Sequence, residues 1–217
     1  MFSETNKELQ PQSFIGGIST EFTELTSTGN VDMIVVVFQP FGARAFFPLS
    51  MSEFFNNCIS VNDIGDISLK ELANQIQDVQ ESKLSIELIE KHFIKQLHSF
   101  DHYNYKRVVA AIEAVNSQPQ IDVVTLSKTA CLSYKQFTRI FTEYVGAKPK
   151  EFTRIIRFQR ALYILQTNPR ISLTQLAFEC GYYDQPHLIK EFKTFAGCTP
   201  TEFMVNCLPY SDYFSTL

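Results

Sequence analysis

Hydrophobic and polar positions follow two rhythms along this chain. From Phe14 to Phe55 the apolar positions come in short runs rich in Thr and β-branched residues, Ile18 to Leu25 and Val31 to Phe38, with turn chemistry at Thr28-Gly29-Asn30 between them. That is the pattern of short strands. Pro40, Gly42 and Pro48 then break a Phe-rich stretch into loops. After about residue 68 the period lengthens from 2 to 3.6, and everything beyond reads as helix. Ser68-Leu-Lys-Glu71 has the form of a capping box, and Leu69, Leu72, Ala73, Ile76 and Val79 line one face of the helix it opens. A second amphipathic helix turns Ile86, Ile89, Phe93, Ile94 and Leu97 inward and ends near Ser99, and His102 to Asn104 reads as a joint.

The C-terminal half repeats itself. Ile121-Asp-Val-Val-Thr-Leu-Ser127 corresponds to Ile171-Ser-Leu-Thr-Gln-Leu-Ala177, Arg139-Ile-Phe141 to Lys190-Glu-Phe192, and Gly146-Ala-Lys-Pro-Lys-Glu-Phe152 to Gly197-Cys-Thr-Pro-Thr-Glu-Phe203. The offset is 50 residues in the first block and 51 in the others, which puts a one-residue insertion near the turn between them. Two copies of one helical unit are therefore present. Each reads as a helix-turn-helix. In the first, Asp122 caps a short helix, Cys131 and Leu132 make a turn, and Ser133 caps a helix over 134–144 that stops at Gly146. In the second, Ser172 caps, Gly181 turns, and Asp184 caps a helix over 185–195, with Pro186 in its first turn where a missing N–H costs little. Ser127 and Ala177 sit where the paired helices cross closely. Phe137, Ile140, Phe141, Leu188 and Phe192 face inward, which leaves Lys135, Gln136, Thr138, Arg139 and Glu143 outward in one copy and Gln185, His187, Ile189 and Lys190 in the other.

Charge changes the picture. The whole chain carries 19 basic and 23 acidic residues, net −4, which by itself weighs against a nucleic-acid partner. Residues 1–102, however, hold 6 Lys and Arg against 14 Asp and Glu, whereas 103–217 hold 13 against 9. The basic excess is densest between Lys128 and Arg160, where a polyanion-binding module and a solvated basic helix face are comparable readings. The 217 residues are 45% hydrophobic with 8 Gly and 9 Pro, a globular composition. Five Cys without a Cys-x-x-Cys pair read as buried thiols in a reducing cytoplasm. The longest apolar run, Met33 to Phe38, is far short of a membrane span, and the region around Met1 lacks the layout of a signal peptide.

The two helix-turn-helix units, with Arg157-Phe-Gln-Arg-Ala161 on the helix between them and Gly181-Tyr-Tyr-Asp-Gln-Pro-His-Leu188, Phe192-Lys193 and Gly197-Cys-Thr-Pro200 in the second, resemble the DNA-binding domain of AraC-type bacterial transcription regulators over about Tyr105 to Asn206. Cys131 stands where the family has glycine in the first turn, and Pro186 where Ser or Gln is commoner. The resemblance implies that one chain inserts recognition helices 134–144 and 185–195 into successive major grooves, held apart by the linking helix, about Lys150 to Gln166. It implies base-reading roles for Lys135, Gln136, Thr138 and Arg139, and for Gln185, Pro186, His187, Ile189 and Lys190. Lys128, Lys148, Lys150, Arg154 and Lys193 are then candidates for phosphates, which position without specifying. Double-stranded DNA is the partner implied; RNA polymerase, a small-molecule effector and a second copy of the chain stay open, with no membrane and no cofactor.

The N-terminal stretch, with Phe38-Gln-Pro-Phe-Gly42, Ala45-Phe-Phe-Pro48, Glu53-Phe-Phe-Asn56 and Val61-Asn-Asp-Ile-Gly65, resembles an uncharacterised domain found ahead of AraC-type DNA-binding domains. Relatives of that kind are expected to carry further strands upstream, so the sheet here is short, completed by a partner chain, or cut down. Phe38, Phe41, Phe46, Phe47, Phe54 and Phe55 could line a ligand pocket, although such a cluster is more often core. The two helices at 69–80 and 86–99 could pair between chains, although packing within one domain is commoner. Catalysis finds no support. His98 and His102 share a helix spacing without the Glu of a zinc protease, nothing joins Cys58 to His92, and Gly146-Ala-Lys lacks the spacing of a phosphate-binding loop.

The expected architecture is α+β: an acidic sensor or dimerisation domain over 1–102 with a small sheet and helices, and an all-α domain over 103–217 with two helix-turn-helix units joined by a long helix. The expected function is a sequence-specific DNA-binding regulator and not an enzyme. The alternative is a ligand-sensing or protein-interaction module whose helix-turn-helix units no longer bind DNA.

Overall fold

In the structure, a computed structural model that describes residues 2–3, 8–23, 25–26, 29–30, 32–97 and 102–206, the helical rhythm begins at Ile67. Among the described residues, five short strands precede it: β1 Phe2–Ser3, β2 Glu8–Leu9, β3 Phe14–Gly16, β4 Leu25–Thr26 and β5 Cys58–Ser60. β1 pairs antiparallel with β2 and β4, and β3 pairs antiparallel with β5 in the register Ile15 opposite Ile59. The helices are α1 Ile67–Asp78, α2 Ser82–Gln96, α3 His102–Ser117, α4 Val123–Thr129, α5 Tyr134–Val145, α6 Pro149–Thr167, α7 Leu173–Glu179, α8 Gln185–Ala196 and α9 Pro200–Asn206. The fold is α+β, with a small sheet region ahead of an all-helical C-terminal part. No described helix is long and apolar enough to cross a membrane.

The strand expected over Val31–Phe38 is not formed. Asp32 to Phe38 join no ladder, and Met33, Ile34, Val35, Val36 and Val37 are all exposed. β-branched composition favours a strand only where a neighbour supplies hydrogen bonds and a half-buried face. Val31 and Thr28 lie outside the described residues. The cap of α1 is Asp66 and not Ser68: Asp66 Oδ1 accepts from the Ser68 and Leu69 N–H groups at 2.9 and 3.1 Å. Ser68 Oγ instead donates to Asp66 and accepts from Gln96 on α2. α2 starts earlier than expected, at Ser82, and Ile86, Ile94 and Leu97 point to solvent while Ile89 and Phe93 pack inward. Ser99 and His98 are outside the described residues.

The chain forms two compact units. The first comprises 1–19, 23–106 and 140–147; the second comprises 20–22, 107–139 and 148–217. The first is cored by Phe47, Met51, Phe54, Val61, Leu69 and Leu72. Phe38, Phe46 and Phe47 all meet Phe93 with ring centres 5.2 to 6.1 Å apart. Phe41 stacks edge-on against Tyr105, and Phe54 is buried. Phe47 and Phe54 thus belong to the core and Phe38 and Phe46 pack against it, while Phe41 and Phe55 are half-buried; a cleft of about 170 Å³ in this unit is lined by Pro11, Ser60, Asn62, Asn74 and Gln77. Also within the first unit, Arg44 reaches Glu143 at 3.6 Å and lies over the Tyr144 ring at 6.0 Å.

The second unit is cored by Ala161, Leu165, Leu176, Ala177, Cys180, Tyr182, Leu188 and Phe192. Burial pushes the Cys180 thiol up to about 12, so it packs as a neutral group. The expectation of buried thiols holds there but not at Cys58 and Cys131, which are exposed.

Candidate nucleic-acid interface

The short helices α4 and α7 begin and end alike. Asp122 Oδ1 accepts from Thr125 N–H at 2.8 Å and Ser172 Oγ from Gln175 N–H at 3.2 Å, each satisfying a donor the helix start leaves orphaned. At the other end, Leu132 N–H bonds Ser127 C=O and Cys131 N–H bonds Lys128 C=O, both at 2.9 Å. Tyr182 to Ala177 at 2.9 Å and Gly181 to Phe178 at 3.1 Å repeat the arrangement. This double bonding is the Schellman closure, and it demands a left-handed residue just past the cap. Cys131 and Gly181 take that place, at φ 52° and 77°. Positive φ is free for Gly181 and strained for Cys131.

Burial follows the repeat: Leu126 with Leu176, Ser127 with Ala177, and Ala130 with Cys180 are all buried. The small pair Ser127 and Ala177 therefore sits where the sequence places it. Between the helices lie residues 130–133 in the first copy and 180–184 in the second, so the inserted residue is in the second turn. Asp184 Oδ1 then caps α8 through His187 N–H at 2.8 Å, and Ser133 Oγ accepts from Gln136 N–H at 3.4 Å to open α5.

Phe137, Ile140 and Phe141 of α5 and Leu188 and Phe192 of α8 are buried, which turns the opposite faces outward. Lys135, Gln136 and Arg139 are exposed and Thr138 half-buried, with its hydroxyl donating to Tyr134 C=O. On α8, Pro186 and Lys190 are exposed, and Gln185, His187 and Ile189 are half-buried. Gln185 Oε1 accepts from the Thr174 hydroxyl, and His187 Nδ1 accepts from Tyr183 N–H at 3.4 Å, which leaves Nε2 as the ring's donor. Gln185 and His187 are set in the first turn of α8, as Lys135 and Gln136 are in that of α5, where a groove-reading helix presents its side chains.

The linking helix α6 has Pro149 in its first turn, and Glu151 accepts from the N–H of its cap, Lys148, at 3.0 Å. Its 19 residues span about 28 Å at 1.5 Å per residue, slightly more than the sequence pattern implies. Lys128, Lys148, Lys150 and Lys193 are exposed. Arg154 is placed differently. Its Nε and Nη2 donate to Glu191 Oε2 and Oε1 at 2.7 and 2.9 Å, and these bonds raise its pKa.

Two features escape the sequence pattern. Tyr183, 92% exposed just ahead of α8, lies within the Gly181–Leu188 stretch, which assigns it no role. Glu191 stands on the inward face of α8, and alignment with Ile140 in the other copy would have singled it out as a charge in an apolar position. Arg157 Nε, meanwhile, ties α6 to Pro119 C=O at 2.8 Å.

Residues 126–205 match the family described as a helix-turn-helix domain, and residues 1–60 match a domain of unknown function. An uncharacterised helix-turn-helix-type transcriptional regulator of Haemophilus influenzae is 32% identical over 100 residues, 45% of this chain and 33% of that protein. The transcriptional regulator ArgR of Pseudomonas aeruginosa is 28% identical over 101 residues, 46% of this chain and 30% of that one. The chain thus spans about a third of the length of the curated relatives it matches. A solved transcriptional regulator with an AraC-type DNA-binding domain, from Chromobacterium violaceum, is similar at a TM-score of 0.45 and 20% identity, over 48% of this chain and 95% of that one.

Proposed function

We propose that the chain, whose residues 126–205 match a helix-turn-helix family, is a sequence-specific DNA-binding transcription regulator of the AraC type. The carrying observation is the duplicated unit itself. Two helices, α5 and α8, present polar first turns to solvent, each is seated on a capped and closed partner, and a 19-residue helix joins the copies. In our reading α5 and α8 enter successive major grooves, about 34 Å apart along one face of the duplex. Arg139 is suited to a bidentate guanine contact and Gln185 to adenine, each worth about 1–3 kcal/mol of discrimination. Lys135, Gln136, Thr138, Pro186, His187, Ile189 and Lys190 complete the base-reading set. Lys128, Lys148, Lys150 and Lys193 neutralise phosphates. RNA polymerase is then the downstream partner, the cytoplasm the place of action, and residues 1–102 a separate sensing or pairing domain.

A gel-shift titration tests this on promoter DNA around the protein's own coding region. Expected is a specific complex below micromolar protein whose affinity falls steeply with added salt, because phosphate contacts release counterions. Absence of any specific complex would favour an interaction module that has lost DNA binding.

A further inference from the structure

The two copies diverge most sharply in chemistry at the buried middle of the recognition helix. At the 51-residue offset of the repeat, Ile140 of α5 corresponds to Glu191 of α8, and both are buried, at 5% and 8% exposure. A buried carboxylate needs a partner that satisfies both oxygens. Arg154 of α6 provides it through two near-parallel bonds of 2.7 and 2.9 Å. Its guanidinium also lies 5.4 Å from the centre of the Phe195 ring, one turn further along α8. A planar fork bonded to one turn and packed on the next fixes direction as well as distance, which a lysine could not do.

We propose that Arg154 is a positioning residue for the second recognition helix. Through Glu191 and Phe195 it sets how α8 is rotated against α6, and hence where Gln185, His187, Ile189 and Lys190 point, without itself contacting DNA phosphate. It also neutralises a carboxylate adjacent to Lys190 on a helix that faces a polyanion. This role rests on the DNA-binding function proposed above.

The test uses the full chain and a duplex it selects from a random library, with affinity followed by fluorescence anisotropy across a range of salt. Arg154→Met is expected to bind about tenfold more weakly, because Glu191 is left unpaired. The slope of log affinity against log salt stays at the wild-type value, because no counterion is released at this position. Arg154→Lys shows a similar loss. Combining Arg154→Met with Glu191→Ile, which restores the apolar residue of the first copy, returns affinity to within about threefold of wild type, as apolar replacements of buried ion pairs commonly do. A slope lowered by about one unit in Arg154→Met, with no recovery in the double variant, would make Arg154 a phosphate ligand and overturn the proposal. Unchanged affinity in Arg154→Met overturns it as well. If circular dichroism shows that Arg154→Met does not fold, the double variant decides: wild-type slope and near-wild-type affinity support positioning, and a slope lower by one defeats it. A wild-type chain that forms no salt-dependent complex overturns the DNA-binding function, and the positioning role falls with it.

Discussion

At matching positions of the two helix-turn-helix copies, Cys131 corresponds to Gly181, Ile140 to Glu191, and Ser133 to Asp184. The backbone is the same at each: both turns carry a positive-φ residue, both inward helix positions are buried, and both recognition helices start on a side-chain cap. The chemistry is not. One copy accepts strain in its turn and an apolar helix face, the other takes an unstrained glycine and seats its helix with an ion pair. The copies also differ in membership, since α8 lies wholly in one compact unit while α5 contributes residues 134–139 to that unit and 140–145 to the other. Topology therefore dictates where side chains are buried and where φ turns positive, while the residues that meet those demands vary.

Substitutions at matched positions sharpen the contrast. The largest effect is expected from Phe192→Ala, which empties a fully buried site between Phe158 and Phe203. Urea denaturation should show a loss of about 3–5 kcal/mol. Next come the reading helices. Arg139→Ala and Lys190→Ala should each weaken specific binding in gel shifts by about 1–3 kcal/mol while leaving stability nearly unchanged; unaltered affinity in both would defeat the docking scheme. At the turns the two copies should respond with opposite signs. Gly181→Ala places a Cβ 2.5 Å from Gln120 Cγ at a positive φ and should destabilise by about 1–2 kcal/mol in thermal melts. Cys131→Gly relieves the strain of φ 52° and should stabilise by about 0.5–1 kcal/mol. If both turn substitutions destabilise, the turns are not equivalent.

The smallest effect concerns the caps. Hydrogen bonds from the Thr125 N–H and hydroxyl hold Asp122 below its ordinary pKa of 3.8, and those from Thr199 hold Glu202 below 4.5. A depressed folded-state pKa contributes stability above the unfolded value and loses it as pH falls through the folded one. Asp122→Ala and Glu202→Ala should therefore lower stability at neutral pH and flatten the acid side of the stability curve below about pH 4. An acid limb unchanged in both variants would exclude the caps as its source.

Much of the helical half was legible in the sequence because its constraints are local. Asp122, Ser172 and Asp184 announce helix starts, Gly181 and Gly197 announce ends, and the repeat cross-checks each copy against the other. The positive φ at Cys131 follows from the same logic, since its counterpart is Gly181. The N-terminal half was less legible because strands depend on partners distant in sequence. The Met33–Val37 run has strand composition but no ladder, and Ser68 resembles a cap while Asp66 does the work. At the candidate interface, periodicity turned Lys135, Gln136, Arg139 and Lys190 outward, and they are exposed, whereas Glu143, read as outward too, is half-buried beside Arg44. Periodicity could not reveal that Arg154 is engaged by Glu191, because that contact links residues 37 positions apart across two helices.

In the proposed docking, one chain reads two successive grooves, each through one copy. Selecting duplexes from a random library with the full chain, then repeating the selection with Arg139→Ala and with Lys190→Ala, tests it most directly. Two preferred blocks about 10–10.5 base pairs apart, centre to centre, are expected, with Arg139→Ala erasing preference in one block alone and Lys190→Ala in the other. A single block, or two substitutions that erase the same one, would contradict it.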